Sequence, residues 1–196
     1  GAQMSRTGPK YLSHADSSDF SRGNTNFTWS FWFKYNTEGI YQYLISKWDW
    51  SGPTDAEFQI IVNTSNIIRF TKESTDRLSI SGGATEDDTW YNVVAYHDAD
   101  GNYIGIVVNG TAATPVSTAT GMHDGGLAIA FGAASDGNAS SAVDGIMDEI
   151  ALHSKVLSTA EITDLYNEKD GTAHGKAYPY IPDSYCLLYT SPSPRD

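Results

Sequence analysis

Residues 144–167 read DGIMDEIALHSKVLSTAEITDLYN, and three local signals fall in register there. From Gly145 onward, Ile146, Asp148, Ile150 and Leu152 alternate with Met147, Glu149, Ala151 and His153 at the period of a β-strand that ends near His153. Ser158 is followed three positions later by Glu161, so a capping box can satisfy the first free amides of a short helix carrying Ile162, Leu165 and Tyr166. The segment therefore reads as a strand, a short link and a small amphipathic helix.

Upstream, the same alternation recurs in short runs separated by polar turns. In Asn26 to Lys34, Phe27, Trp29, Phe31 and Phe33 project to one face and form a core stripe, while Thr28, Ser30, Trp32 and Lys34 project to the other. Further strands are expected at 11–15, 40–48, 58–62, 67–71, 78–81, 89–97, 103–109, 112–116 and 127–131, about eleven in all with the strand after Gly145. The turns between them carry the Asp, Asn, Gly and Ser that tolerate tight backbone geometry, as in Asp98-Ala99-Asp100-Gly101-Asn102. So many strands in one chain of this size predict two stacked antiparallel sheets, an all-β sandwich with one short C-terminal helix.

The closing segment resembles the "G-x-x-D-E" strand and "L-S-x-x-E-I-x-x-L-Y" helix of laminin-G-like jelly-roll domains in the concanavalin A-like lectin/glucanase superfamily. Asn26-Phe27-Thr28-Trp29-Ser30-Phe31-Trp32-Phe33 resembles the early strand of such domains, and Thr89-Trp90-Tyr91-Asn92-Val93-Val94 a later one, followed by Val108-Asn109-Gly110. The resemblance implies a two-sheet jelly roll over residues 9–168, glycan binding as the first expectation of function, and calcium as the one cofactor to consider. Its glucanase members pair carboxylates as E-x-D-x-x-E on one strand, where alternate residues share a face. That motif is absent, and the adjacent Asp148 and Glu149 point to opposite faces, so the chain is expected not to be an enzyme.

Composition narrows the partners. With 24 acidic residues against 12 Lys and Arg, a net charge of −12 disfavours nucleic acid and anionic membranes, and no apolar run is long enough to insert in a membrane. Residues 1–8, ahead of the domain, read as disordered or as a fragment start, and 169–185 as an extended tail or the beginning of a linker. The last stretch, Cys186 to Asp196, CLLYTSPSPRD, reverse-translates to the DNA of a transposase-type sequencing-library adapter. It is read as an artefact of assembled environmental sequence, with the natural chain stopping near Tyr185. The single cysteine lies within it, so the domain is expected to rest on its core without disulfides.

Two groups of residues are candidates for binding. Trp48, Asp49 and Trp50 set two indoles around an acid on a turn after a strand, a combination that suits the apolar face and hydroxyls of a sugar ring. Asp16 and Asp19 in the first loop, with Asp136, Asp144 and Asp148 around the final strand, supply the oxygens a calcium ion would need if those loops converge. Against each stands a structural reading, in which a tryptophan covers the core edge, the acids are solvated turn residues, and Asp148 accepts backbone hydrogen bonds. The expected function is a non-catalytic, glycan-directed module of a larger surface, secreted or virion-associated protein. The alternatives are a structural or adhesive domain contacting a cell-surface protein, or the accessory domain of a glycoside hydrolase.

Overall fold

A computed structural model describes residues 1–8, 10–48, 55–73, 78–167 and 185–187. Fourteen strands are found among them: β1 Ala2–Met4, β2 Leu12–His14, β3 Phe27–Tyr35, β4 Gln42–Lys47, β5 Phe58–Val62, β6 Ile67–Lys72, β7 Leu78–Ala84, β8 Tyr91–Asp98, β9 Tyr103–Val108, β10 Thr111–Ala112, β11 Val116–Ser117, β12 Ile129–Phe131, β13 Gly145–His153 and β14 Tyr185–Leu187. Among the described residues one α-helix, α1, spans Thr159–Asn167, and a short 3-10 turn spans Ala139–Ser141. The strands form two antiparallel sheets. The larger runs β1-β13-β3-β8-β9-β10, with β14 also on β13 and β11 also on β9, and the smaller runs β2-β12-β4-β5-β6-β7.

The core lies between the sheets, and β3 supplies its centre. Phe27, Trp29, Phe31 and Phe33 are all buried there, packed against Phe58 and Phe70 of the smaller sheet, as the alternation predicts. The opposite face of β3 is buried as well, because the segment after β13 crosses it. Thr28 Oγ1 donates to Lys155 O at 2.8 Å and accepts from Leu157 N at 3.2 Å, Ser30 Oγ lies 3.0 Å from His153 Nε2, and the Trp32 ring stacks on Tyr166 of α1. Leu157 and Ile162 complete the cover by packing on Val94 of β8 and Val107 of β9. The capping box forms as read: Ser158 N and Oγ donate to Glu161 Oε2, each at 2.8 Å, and Glu161 N points back at Ser158 Oγ.

The strand phase at β13 differs from the expectation. Met147, Ile150 and Leu152 enter the core, while Ile146 and Asp148 are half-buried on the other face. The pairing with β3 slips between Asp148 and Ala151, and Glu149 adopts φ +52°. One extra residue in the bulge reverses which parity faces inward, a change that alternation alone cannot register. Asp148 is therefore not a core carboxylate; it accepts the Glu149 amide at 2.9 Å.

Three boundaries also differ. Ala2–Met4 pairs with β13 and buries Met4, so the first residues are part of the sandwich; three residues are too few to show a period. The run 112–116 splits into β10 and β11 on either side of Pro115, which has no amide to donate. Tyr185–Leu187 lies along Ala151–His153 of β13, so two residues of the stretch read as adapter-derived, Cys186 and Leu187, pair with the larger sheet.

Candidate functional site

One end of the sandwich gathers the loops 15–26, 99–102 and 118–128 with the ends of β4 and β5, since His14 pairs with Ile129, Lys47 with Phe58 and Phe27 with His97. Beneath those loops lies a charged network. Lys47 follows the inward phase of β4, so its side chain enters the sandwich and is 0% exposed. Its Nζ lies 2.6 Å from Asp16 Oδ1, 2.6 Å from Glu57 Oε1, 2.6 Å from Ser21 Oγ and 3.4 Å from Gly125 O. Ser21 Oγ is 2.9 Å from both carboxylate oxygens, and Gly125 N donates to Glu57 Oε1 at 3.1 Å. Gly125 is required, because a Cβ there would collide with the Asp55 carbonyl.

The two carboxylates differ in environment. Glu57 is 1% exposed, and burial pushes its carboxyl above the usual range, opposed by the Lys47 ammonium. Asp16 faces water, and the hydrogen bond from Lys47 holds it below the usual range. Lys47 and Ser21 sit at the distance of a nucleophile and its base, but an ammonium paired with two carboxylates has no lone pair to offer. The network is suited to holding loops. Lys72, also fully buried, does the same beside it, donating to Thr120 O at 2.8 Å, Thr120 Oγ1 at 3.1 Å and Gly121 O at 3.3 Å.

The outer face of the larger sheet continues from this end. On β8 and β9 the residues facing away from the core are Val94, Tyr96 and Asp98, paired with Val107, Gly105 and Tyr103. The α1 segment covers the Val94–Val107 pair. Beyond it the Tyr96 ring leans across β9 and rests on Gly105, where any Cβ would overlap it. Next come Asp98, Tyr103 and Ser117 in one cross-strand row over β8, β9 and β11. Tyr103 is 42% exposed, and the Tyr96 hydroxyl is made less acidic by burial and then by the Asp98 carboxylate nearby. Asp98 Oδ1 accepts the Gly101 amide at 2.7 Å, which fixes the acid at the edge of the patch.

The sequence-derived candidates are placed differently. Trp48 is 3% exposed and packs with Tyr43, Ala56, Ile61 and Ala134 on the outer side of the smaller sheet, so it covers the core edge and offers no face to a sugar. Asp49 and Trp50 lie outside the described residues. The five aspartates do not converge. Asp16 meets Lys47 at one end of β4, whereas the Asp144 amide donates to Gln42 Oε1 at the other, about 16 Å away at the rise of a strand. Asp136 Oδ1 caps the Asn138 amide, Asp19 is exposed, and Asp148 serves the bulge. Among the described residues no three His, Cys, Asp or Glu side chains are placed to hold a metal ion.

Lys47, Glu57, Tyr96, Asp98 and Tyr103 were not singled out by sequence. A signal existed for two of them: a lysine in the inward phase of an apolar strand needs a buried acid.

Several solved structures share this architecture. The sialidase-associated module CBM40 of Ruminococcus gnavus, bound to α2,3-sialyllactose, superposes with a TM-score of 0.67 at 14% identity, covering 85% of this chain and 96% of that one. The binding domain of Paraclostridial Mosquitocidal Protein 1 gives 0.66 at 12% identity, over 86% of this chain and 43% of that one. The binding domain of botulinum neurotoxin DC, in complex with rat synaptotagmin II, gives 0.58 at 15% identity, over 81% and 40%. The chain thus spans nearly all of the sialidase module and under half of either toxin domain. No curated protein matches it. A family model described as the concanavalin A-like lectin/glucanases superfamily matches residues 6–163. With that match over most of its length and a two-sheet jelly roll beneath it, the chain belongs to the laminin-G-like family of that superfamily.

Proposed function

We propose that this chain is a non-catalytic carbohydrate-binding module, carried by a larger surface, secreted or virion-associated protein, and that it contacts its glycan through Tyr96, Asp98, Tyr103 and Ser117. The observation that carries this reading is the open block beside α1, where a tyrosine laid across Gly105 and an exposed tyrosine share one face with a carboxylate and a hydroxyl. A sugar ring needs that combination: aromatic surface for its C–H face and acceptors for its hydroxyls. The likeness to a sialyllactose-bound module over nearly its whole length supports the same reading at the level of fold. Asp16 and Glu57, the carboxylates that the rim does bring together, are tied to one ammonium and are not arranged as an acid and a base.

A glycan array with the full chain, followed by titration of the saccharide it returns, tests the reading. Tyr103→Ala is expected to weaken binding by about 10-fold, the effect of truncating one aromatic anchor. Tyr11→Ala, an exposed tyrosine next to the edge strand of the other sheet, is expected to leave it unchanged. An array without signal would reject the reading in favour of a protein-contact domain.

A further inference from the structure

We propose that the Lys47 ammonium is the resident cation of the loop-bearing rim, seated in an oxygen cage of the kind a divalent metal occupies, so that the rim is ordered without calcium. Around one nitrogen stand two carboxylate oxygens, a hydroxyl and a backbone carbonyl, at 2.6 to 3.4 Å. That is the donor set of a hard cation, which takes carboxylates, hydroxyls and carbonyls at roughly 2.3 to 2.6 Å. The donors come from places far apart in sequence: Asp16 and Ser21 in the first loop, Glu57 just before β5 and Gly125 before β12. Joining such separate loops is what a structural ion does, and here a side chain rooted in β4 does it.

The charges agree. Glu57 is fully buried and so needs a cation beside it, and Asp16 brings the anionic donors to two. One tethered ammonium leaves the cage at −1; without it, the two carboxylates would match a divalent ion. Lys72 also holds this loop from inside, donating to the Thr120 and Gly121 carbonyls. Among the Lys and Arg of the described residues, these two are fully buried, and both lie under the 118–128 loop. A covalently held cation cannot be lost to a chelator or to dilution.

The test is thermal melting and calcium calorimetry on the full chain, for the wild type, Lys47→Met and the double variant Lys47→Met with Glu57→Gln. The wild type is expected to melt at the same temperature in calcium and in chelator and to give no binding heat. Lys47→Met is expected to melt lower in chelator and to recover by on the order of 5 °C in millimolar calcium, through mass action on an emptied cage. The double variant, with one carboxylate left, is expected to fold in chelator and to ignore calcium. A wild-type melt raised by calcium would overturn the proposal. So would a Lys47→Met chain that neither binds calcium nor is rescued by it. None of these measurements uses a saccharide, so failure here leaves the proposed function standing, and a silent glycan array leaves this inference standing.

Discussion

His153 shows how much one side chain can set. It is buried under the link to α1, its Nε2 facing Ser30 Oγ, and burial together with the Lys155 charge pushes its imidazole down to about 4, against a smaller upward pull from Glu161. A histidine kept neutral in the folded state lends stability that is complete above the ordinary value near 6.5 and is lost as the pH falls from there to 4. The loss should approach about 3 kcal/mol. Urea unfolding at pH 7.5 and pH 4.5 should show it, and His153→Gln should flatten the difference. His97 is lowered by burial as well and adds with the same sign. Glu161, held at about 2 chiefly by the hydrogen bond from Lys155, contributes above the ordinary carboxylate value and loses that contribution only below it, so acid acts on the two groups in separate windows. If the wild type is equally stable at pH 7.5 and 4.5, the burial of His153 has been misassigned.

Among elements, β3 and α1 were legible in the sequence because each carries a complete local signal. Four aromatics in one phase define the inner face of β3, and Ser158 with Glu161 marks the start of α1. Phe31→Ala should cost about 3 to 5 kcal/mol, as for other buried aromatics, read from the denaturant midpoint. Ser158→Ala should cost about 1 kcal/mol through the lost cap. What stayed hidden is equally physical. The bulge at Glu149 leaves no mark in an alternating string, so Asp148 was assigned to the wrong face. Edge strands of three residues have no period to read, and so β1 was missed. The exposed block was hidden for another reason. Tyr96, Asp98 and Tyr103 come together only through the register of β8 on β9, although the Asp98–Asn102 turn between those strands was correctly expected.

At the scale of the molecule, the fold follows from its two sheets, and the face of the larger one divides in two. The link after β13 and α1 bury Thr28, Ser30, Trp32, Val94 and Val107, leaving Tyr96, Asp98, Tyr103 and Ser117 as the open remainder beside the rim held by Lys47. The central claim is that this remainder receives a glycan. Its most direct test is amide chemical-shift mapping of the labelled full chain during titration with a saccharide returned by the array, starting from α2,3-sialyllactose. The largest shifts are expected on residues 96–98, 103–105 and 116–117, with those around Tyr11 and Asp144 unmoved. Shifts centred instead on Asp49 and Trp50 or on the Gln42 end of β4 would reject this placement.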